Sequence, residues 1–205
     1  MGDGDRVAGG ALVASAAGVV FAMAHHPTRI EQAGAAVAVH SVLLVLLAAM
    51  TFGFVHFARR RSLDRPAVLA GLVAYAFGAF ANLGAATVNG LIVPALASRG
   101  RSALSADLFA FAWETNQALD AIGVFGTGAA FVLWSVDLLS ERRTPARLLG
   151  AAGLLVGLAS TIFLATGALR MNVSGAFAIY AMEVAWAALV GLFMLRYGAA
   201  RAADA

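Results

Sequence analysis

GAAVAVHSVLLVLLAAMTFGFVHFARRR, residues 34–61, decides the fold. From Gly34 to Ala58 the only ionisable side chains are His40 and His56, and three arginines then end the run. About 20 apolar residues in a helix cross a bilayer core of ~30 Å. An apolar run of this length, closed by a block of positive charge, therefore reads as a membrane-crossing helix that stops at a charged surface.

Similar runs flank it on both sides. The expected spans are about 7–24, 34–58, 66–90, 112–139, 147–169 and 174–196, the third with a tail towards Ala97. Prolines fall between them: Pro27, Pro66, Pro94 and Pro145. Open strands cannot cross lipid with unpaired backbone groups, and a barrel needs short alternating segments, so helices are the form that fits. The expected fold class is all-α, a polytopic membrane protein and a six-helix bundle forming a single domain over 1–205.

Composition agrees. Of the 205 residues 61% are hydrophobic and only 12% charged, with mean hydropathy +0.85. Soluble domains carry about 25% charged residues. Cysteine is absent, which removes disulfides, thiolate metal sites and iron–sulfur clusters. The net charge of +3 comes from arginines spread over loops, not from a contiguous basic face, so no nucleic acid partner is expected. The Ala- and Arg-rich, lysine-free composition suggests a bacterial chain.

The arginines alternate between connections. Arg59, Arg60, Arg61 and Arg65, then Arg142, Arg143 and Arg147, then Arg196 and Arg201 fall on one side; Arg29, Arg99, Arg101 and Arg170 fall on the other. The positive-inside rule places both termini in the cytoplasm and the chain in a bacterial cytoplasmic (inner) membrane. Ala22-Met23-Ala24 has the form of a signal-peptidase site, but the leading segment is acidic, so the first helix is expected to be retained. Small residues four or seven apart, such as Gly71 and Gly78 or Gly153 and Gly157, are suited to close helix contacts.

Depth carries the functional expectation. Counting ~1.5 Å per residue, His25, His26, His40, Asn82, Asn89, Glu114, Asn116, Gln117, Asp120, Arg170 and Glu183 all fall in the outer half. Tyr75, Asn82 and Asn89 are seven apart on one helix; Glu114, Gln117 and Asp120 are three apart on another. Ionisable groups inside a membrane are costly and face protein or water. This bias predicts an outward-opening cavity whose ligand contacts are His40, Asn82, Asn89, Glu114, Gln117, Asp120, Arg170 and Glu183. Arg170 is also a candidate partner for Glu183.

Three functions follow from such a cavity. The first is a transporter or binder of a small molecule or ion. The second is a membrane enzyme or redox protein with a metal, acting on an apolar or lipid-like substrate. His25, His26, His40 and Glu183 are its candidate ligands, for a divalent metal or, with Met23, Met171 and Met182 nearby, copper. Haem would need two histidines on different helices at matched depth. The third is a subunit of a larger membrane complex, or a homo-oligomer, with lipid as the remaining partner.

Overall fold

The computed structural model describes residues 3–27, 32–98 and 103–197. Arg29, Arg99, Arg101 and Arg201, which enter the charge argument, lie outside the described residues. The helices are α1 (Asp3–Ala24), α2 (Ala33–Arg61), α3 (Pro66–Thr87), α4 (Val93–Ala97), α5 (Ala103–Leu139), α6 (Thr144–Ala165) and α7 (Val173–Tyr197). The described chain is all-helical, with six helices long and apolar enough to cross a membrane; α3 and α4 together supply one of them. The shortest of the six have 22 residues, about 33 Å of rise.

Local chemistry sets the ends. Asp3 and Asp5 lie in the first turn of α1, and Arg59, Arg60 and Arg61 in the last turn of α2. Both placements favour the helix dipole. Pro66 and Pro145 occupy first-turn positions, where a missing N–H costs nothing. Pro94 does not separate helices as its position suggests. A π turn over Val88–Ile92 joins α3 to α4, and the helical path continues through the proline. The wider turn accommodates the lost N–H and the bulk of the ring. The fourth span also starts earlier than expected, because α5 reaches back to Ala103. After α6, Gly167 adopts φ +72° and turns the chain sharply towards α7.

The helices close into a ring: α1 packs on α2 and α7, α3 on α2 and α5, and α6 on α5 and α7. Glycines set three of these contacts. Gly78 meets Gly126 between α3 and α5, Gly128 meets Gly157 between α5 and α6, and Gly9 meets Gly191 between α1 and α7. A Cβ on Gly126 would lie 2.7 Å from the Cα and N of Gly78, backbone against backbone, with no flexible side chain to yield. Gly126→Ala is therefore expected to destabilise the bundle by about 1–2 kcal/mol. Gly10→Ala, where a Cβ meets nothing, should cost none of this. Thermal unfolding in detergent, read for both variants against the parent, checks the difference.

The outside of the ring is apolar. Val45, Phe77, Phe80 and Leu155 are 69–75% exposed, as a lipid-facing surface requires and a water-facing one would not tolerate. Inside, one half is solid. Phe54, Tyr75, Phe131, Trp134 and Trp186 pack ring on ring, with centroids 4.3–6.5 Å apart. The two indole N–H groups donate to backbone carbonyls, Trp134 to Val68 at 3.1 Å and Trp186 to Leu149 at 3.0 Å.

Beyond this plug, at the arginine-rich end, lies a buried ion network. Arg61 contacts Asp137 through Nε at 2.6 Å and Nη2 at 2.5 Å, and Glu141 through Nη1 at 2.9 Å. Arg65 reaches the second oxygen of Asp137 at 2.8 Å. Asp5 of α1 accepts from His56 at 2.7 Å and Arg60 at 3.2 Å. This end is closed by aromatic packing and by charge.

Candidate functional site

The other half is hollow. A cavity of about 680 Å³ runs from the ends of the helices, at Pro27, Pro94 and Asn172, down to Phe54, Phe131 and Val184 at the aromatic plug. Most of its wall is apolar, from residues such as Val19, Leu43, Leu47, Met50, Ala79 and Ala176. Its polar groups come from four of the helices, α2, α3, α5 and α7, and from His26, Asn89 and Asn172 beyond them.

At its centre stands Tyr180 of α7. Its hydroxyl donates to Asp120 Oδ1 on α5 at 2.8 Å and lies 3.2 Å from Asn82 Oδ1 on α3. Asn116, one turn before Asp120, donates through Nδ2 to the other oxygen of Asp120 at 2.9 Å. Three helices thus meet at one hydroxyl, that of Tyr180. Gln117 donates to the carbonyl of Met171 at 3.0 Å and ties α5 to the connection between α6 and α7. Tyr75 bonds Thr51 on α2 at 3.2 Å.

Two buried acceptors in this wall are left over. Asn116 Oδ1 and Glu183 Oε1 have no hydrogen-bond partner. Glu183 is 5% exposed, and its carboxyl has a hydroxyl contact from Ser160 on α6. No described Arg or His forms an ion pair with it. An unsatisfied buried acceptor costs about 1–3 kcal/mol, so a pair of them on a cavity wall calls for a reason.

Of the residues expected from depth, His26, His40, Asn82, Asn89, Glu114, Gln117, Asp120 and Glu183 line this one cavity, together with Asn116. Two do not. Arg170 is exposed, off the wall, and forms no ion pair with Glu183. Its place in the connection between α6 and α7 lets the long side chain reach solvent, where a guanidinium is best hydrated. His25 is also exposed, its Nδ1 turned back on the carbonyl of Phe21 at 2.8 Å. Tyr180 is not among the residues expected from depth; it lies three residues before Glu183, on the same helical face, and that spacing is its signal in the sequence.

The four residues considered as metal ligands do not converge. Among the described residues no three His, Cys, Asp or Glu side chains form a metal-sized group. His26 and His40 do meet, with Nε2 atoms 3.4 Å apart. Their rings lie edge to face, which is not the opposed arrangement of two axial ligands across a flat macrocycle. Burial lowers the pKa of His26 below that of a free imidazole, partly offset by its bond to the Pro27 carbonyl. His56 belongs to the ion network at the far end.

The chain matches no protein-family model, no curated protein and no solved structure.

Proposed function

We propose that the protein is a multi-pass protein of a bacterial inner membrane, with both termini in the cytoplasm, that binds a small amphipathic molecule from the periplasmic side and transports it. The observation that carries this is the cavity, hollow towards one end of the bundle and sealed at the other. Alternating access needs a site open on one side and closed on the other. The closing elements would be the Phe54–Trp134–Trp186 stack and the Arg61–Asp137 network. The arginines gathered at the sealed end support an inward placement of that end.

The wall describes the ligand. A volume of about 680 Å³ lies within the range of small-molecule pockets. Its apolar lining suits an apolar body. Among the described residues Glu114, Asp120 and Glu183 stand on it without Arg, and the two unpartnered atoms of its wall are both acceptors. The ligand should therefore bring hydrogen-bond donors, as an amine or hydroxyl does, and not an anionic group; Arg170, the residue suited to an anion, is elsewhere.

Rhodamine 6G, a lipophilic cation with N–H donors, is a suitable probe. Saturable binding to the detergent-solubilised protein is expected by fluorescence polarisation. Ala79→Trp, which fills the cavity, should weaken it at least about tenfold, since one or two lost contacts of about 1.4 kcal/mol suffice. Unsaturable binding, or a filled variant that binds like the parent, would reject the reading.

Orientation has its own test, made clean by the absence of cysteine. In right-side-out vesicles, Ala86→Cys on the cavity wall should react with a membrane-impermeant thiol reagent. Ser135→Cys, fully buried in the closed half, should not. Labelling of Ala86→Cys only in inverted vesicles would reverse the topology.

A further inference from the structure

His26 follows α1 at the rim of the cavity, and His40 sits on α2 within the wall. Their Nε2 atoms are 3.4 Å apart, and the ring centroids are 5.0 Å apart at 77°. The other nitrogen of each ring is held by the backbone: His26 Nδ1 lies 2.8 Å from the Pro27 carbonyl and His40 Nδ1 2.8 Å from the Ala36 carbonyl. A carbonyl can only accept, so both Nδ1 atoms carry the proton. In the neutral rings both Nε2 atoms are then bare lone pairs, and they face each other. Such an arrangement repels unless a cation sits between them.

Two cations fit there, a shared proton and a metal ion. A straight N–H···N bond of this length would place the centroids about 5.7 Å apart, the 3.4 Å separation plus two ring radii of about 1.15 Å. A zinc-type N–metal distance of about 2.05 Å gives a different figure. Half the separation, 1.7 Å, over that bond length corresponds to an N–metal–N angle of about 112° and centroids about 5.3 Å apart. The observed 5.0 Å is shorter than both figures and within the range of an edge-to-face ring pair, so the titration below decides between the cations. An angle of about 112° is near-tetrahedral, away from the square-planar geometry of Cu²⁺ or Ni²⁺.

We infer that His26 and His40 form the protein's share of a Zn²⁺ or Cu⁺ site at the cavity rim, with the remaining coordination positions open to the cavity. Two further features match. Metal-ligating histidines ordinarily donate their second N–H to a carbonyl or carboxylate, which fixes tautomer and ring orientation, as both rings do here. Gly90 of the π turn lies so close to His40 that a Cβ there would overlap it, so the widened turn and the glycine together seat the ring. Open zinc sites ordinarily keep three protein ligands; here the described residues supply two, so water or the cavity's ligand would fill the other positions. The site stands on the facing Nε2 atoms and the two backbone-held Nδ1 atoms; only its use in holding the cavity's ligand rests on the function proposed above.

The test uses the full chain, purified through a histidine-free tag, stripped with chelator and titrated with Zn²⁺ and, under reducing conditions, with Cu⁺. One ion per chain is expected, and Co²⁺ in place of Zn²⁺ should show the visible bands of a tetrahedral site. Loss of an outer-shell partner alone costs about 10–100-fold, so His26→Ala and His40→Ala should each weaken binding by more than about 100-fold. His25→Ala, the exposed neighbour, should change it less than about twofold. His26 lies beyond the end of α1, so its variant keeps the test valid even where His40→Ala fails to fold. Failure of both ions to bind at one per chain, or a His26→Ala variant that binds like the parent, overturns the site. Rhodamine 6G binding is measured on the same samples: its persistence without metal binding sinks the metal site alone and leaves the cavity's function standing.

Discussion

Replacing Asp137 with alanine should be the most damaging single change in the closed half of the protein. Asp137 is 7% exposed and holds two guanidinium groups, those of Arg61 and Arg65, joining the end of α5 to the end of α2 and the start of α3. Arg61 is itself 8% exposed. Removing one partner of a buried pair typically costs 3–5 kcal/mol, because the other charge is left without compensation. Glu141 still reaches Arg61 at 2.9 Å, so the lower end, about 3 kcal/mol, is expected. Asp137→Asn keeps an acceptor for Arg61 and should cost less. Glu141→Ala, which leaves both guanidinium contacts of Asp137 in place, should cost less than Asp137→Ala. Unfolding by sodium dodecyl sulfate titration orders the three variants. An Asp137→Ala protein as stable as the parent would mean that the network contributes little and that the aromatic stack alone closes this end.

The sequence shows the bundle because the lipid requirement acts on long stretches. No local feature in Gly34–Ala58 competes with a helix, and the charge blocks at Arg59–Arg61 and Arg142–Arg143 can only be connections. The gathering of polar residues towards one end of the bundle was legible for the same reason: position along a helix gives depth directly. What depth does not give is rotation and the path of connections. Arg170 and Glu183 lie at opposite ends of one turn-and-helix segment, yet one side chain goes to solvent and the other to the interior. His26 lies outside the spans, and nothing in its spacing indicates that the chain after α1 brings it to His40. The π turn before Pro94 was equally hidden, because proline in an apolar run reads as an end. Tyr180 illustrates a different gap: tyrosine is apolar enough to pass for wall, and its role appears only when Asp120 and Asn82 are brought to it by two other helices.

Glu183→Met should raise the stability of the protein while removing its capacity to bind. The parent buries a carboxyl with one oxygen unpartnered and no described cationic residue in an ion pair with it. Such a group costs about 1–3 kcal/mol as an orphaned acceptor, and more where it carries charge. Methionine has similar length and volume, keeps the same place on a largely apolar wall, and brings no strongly polar atom that needs a partner. A gain of about 2–3 kcal/mol in unfolding free energy is therefore expected. Binding of rhodamine 6G should fall at least about tenfold, because the acceptor that meets its N–H donors is gone. Fold stability and ligand capture then move in opposite directions, as they do where a site is kept at the expense of packing. Ser160→Ala separates this account from a structural one. Ser160 bonds the Val156 and Gly157 carbonyls of its own helix and also contacts the Glu183 carboxyl, so its loss should alter stability little in the Glu183→Met background and more in the parent. A Glu183→Met protein that melts below the parent would show that the carboxyl is a paired structural group, and the cavity would then lose its deepest ligand contact.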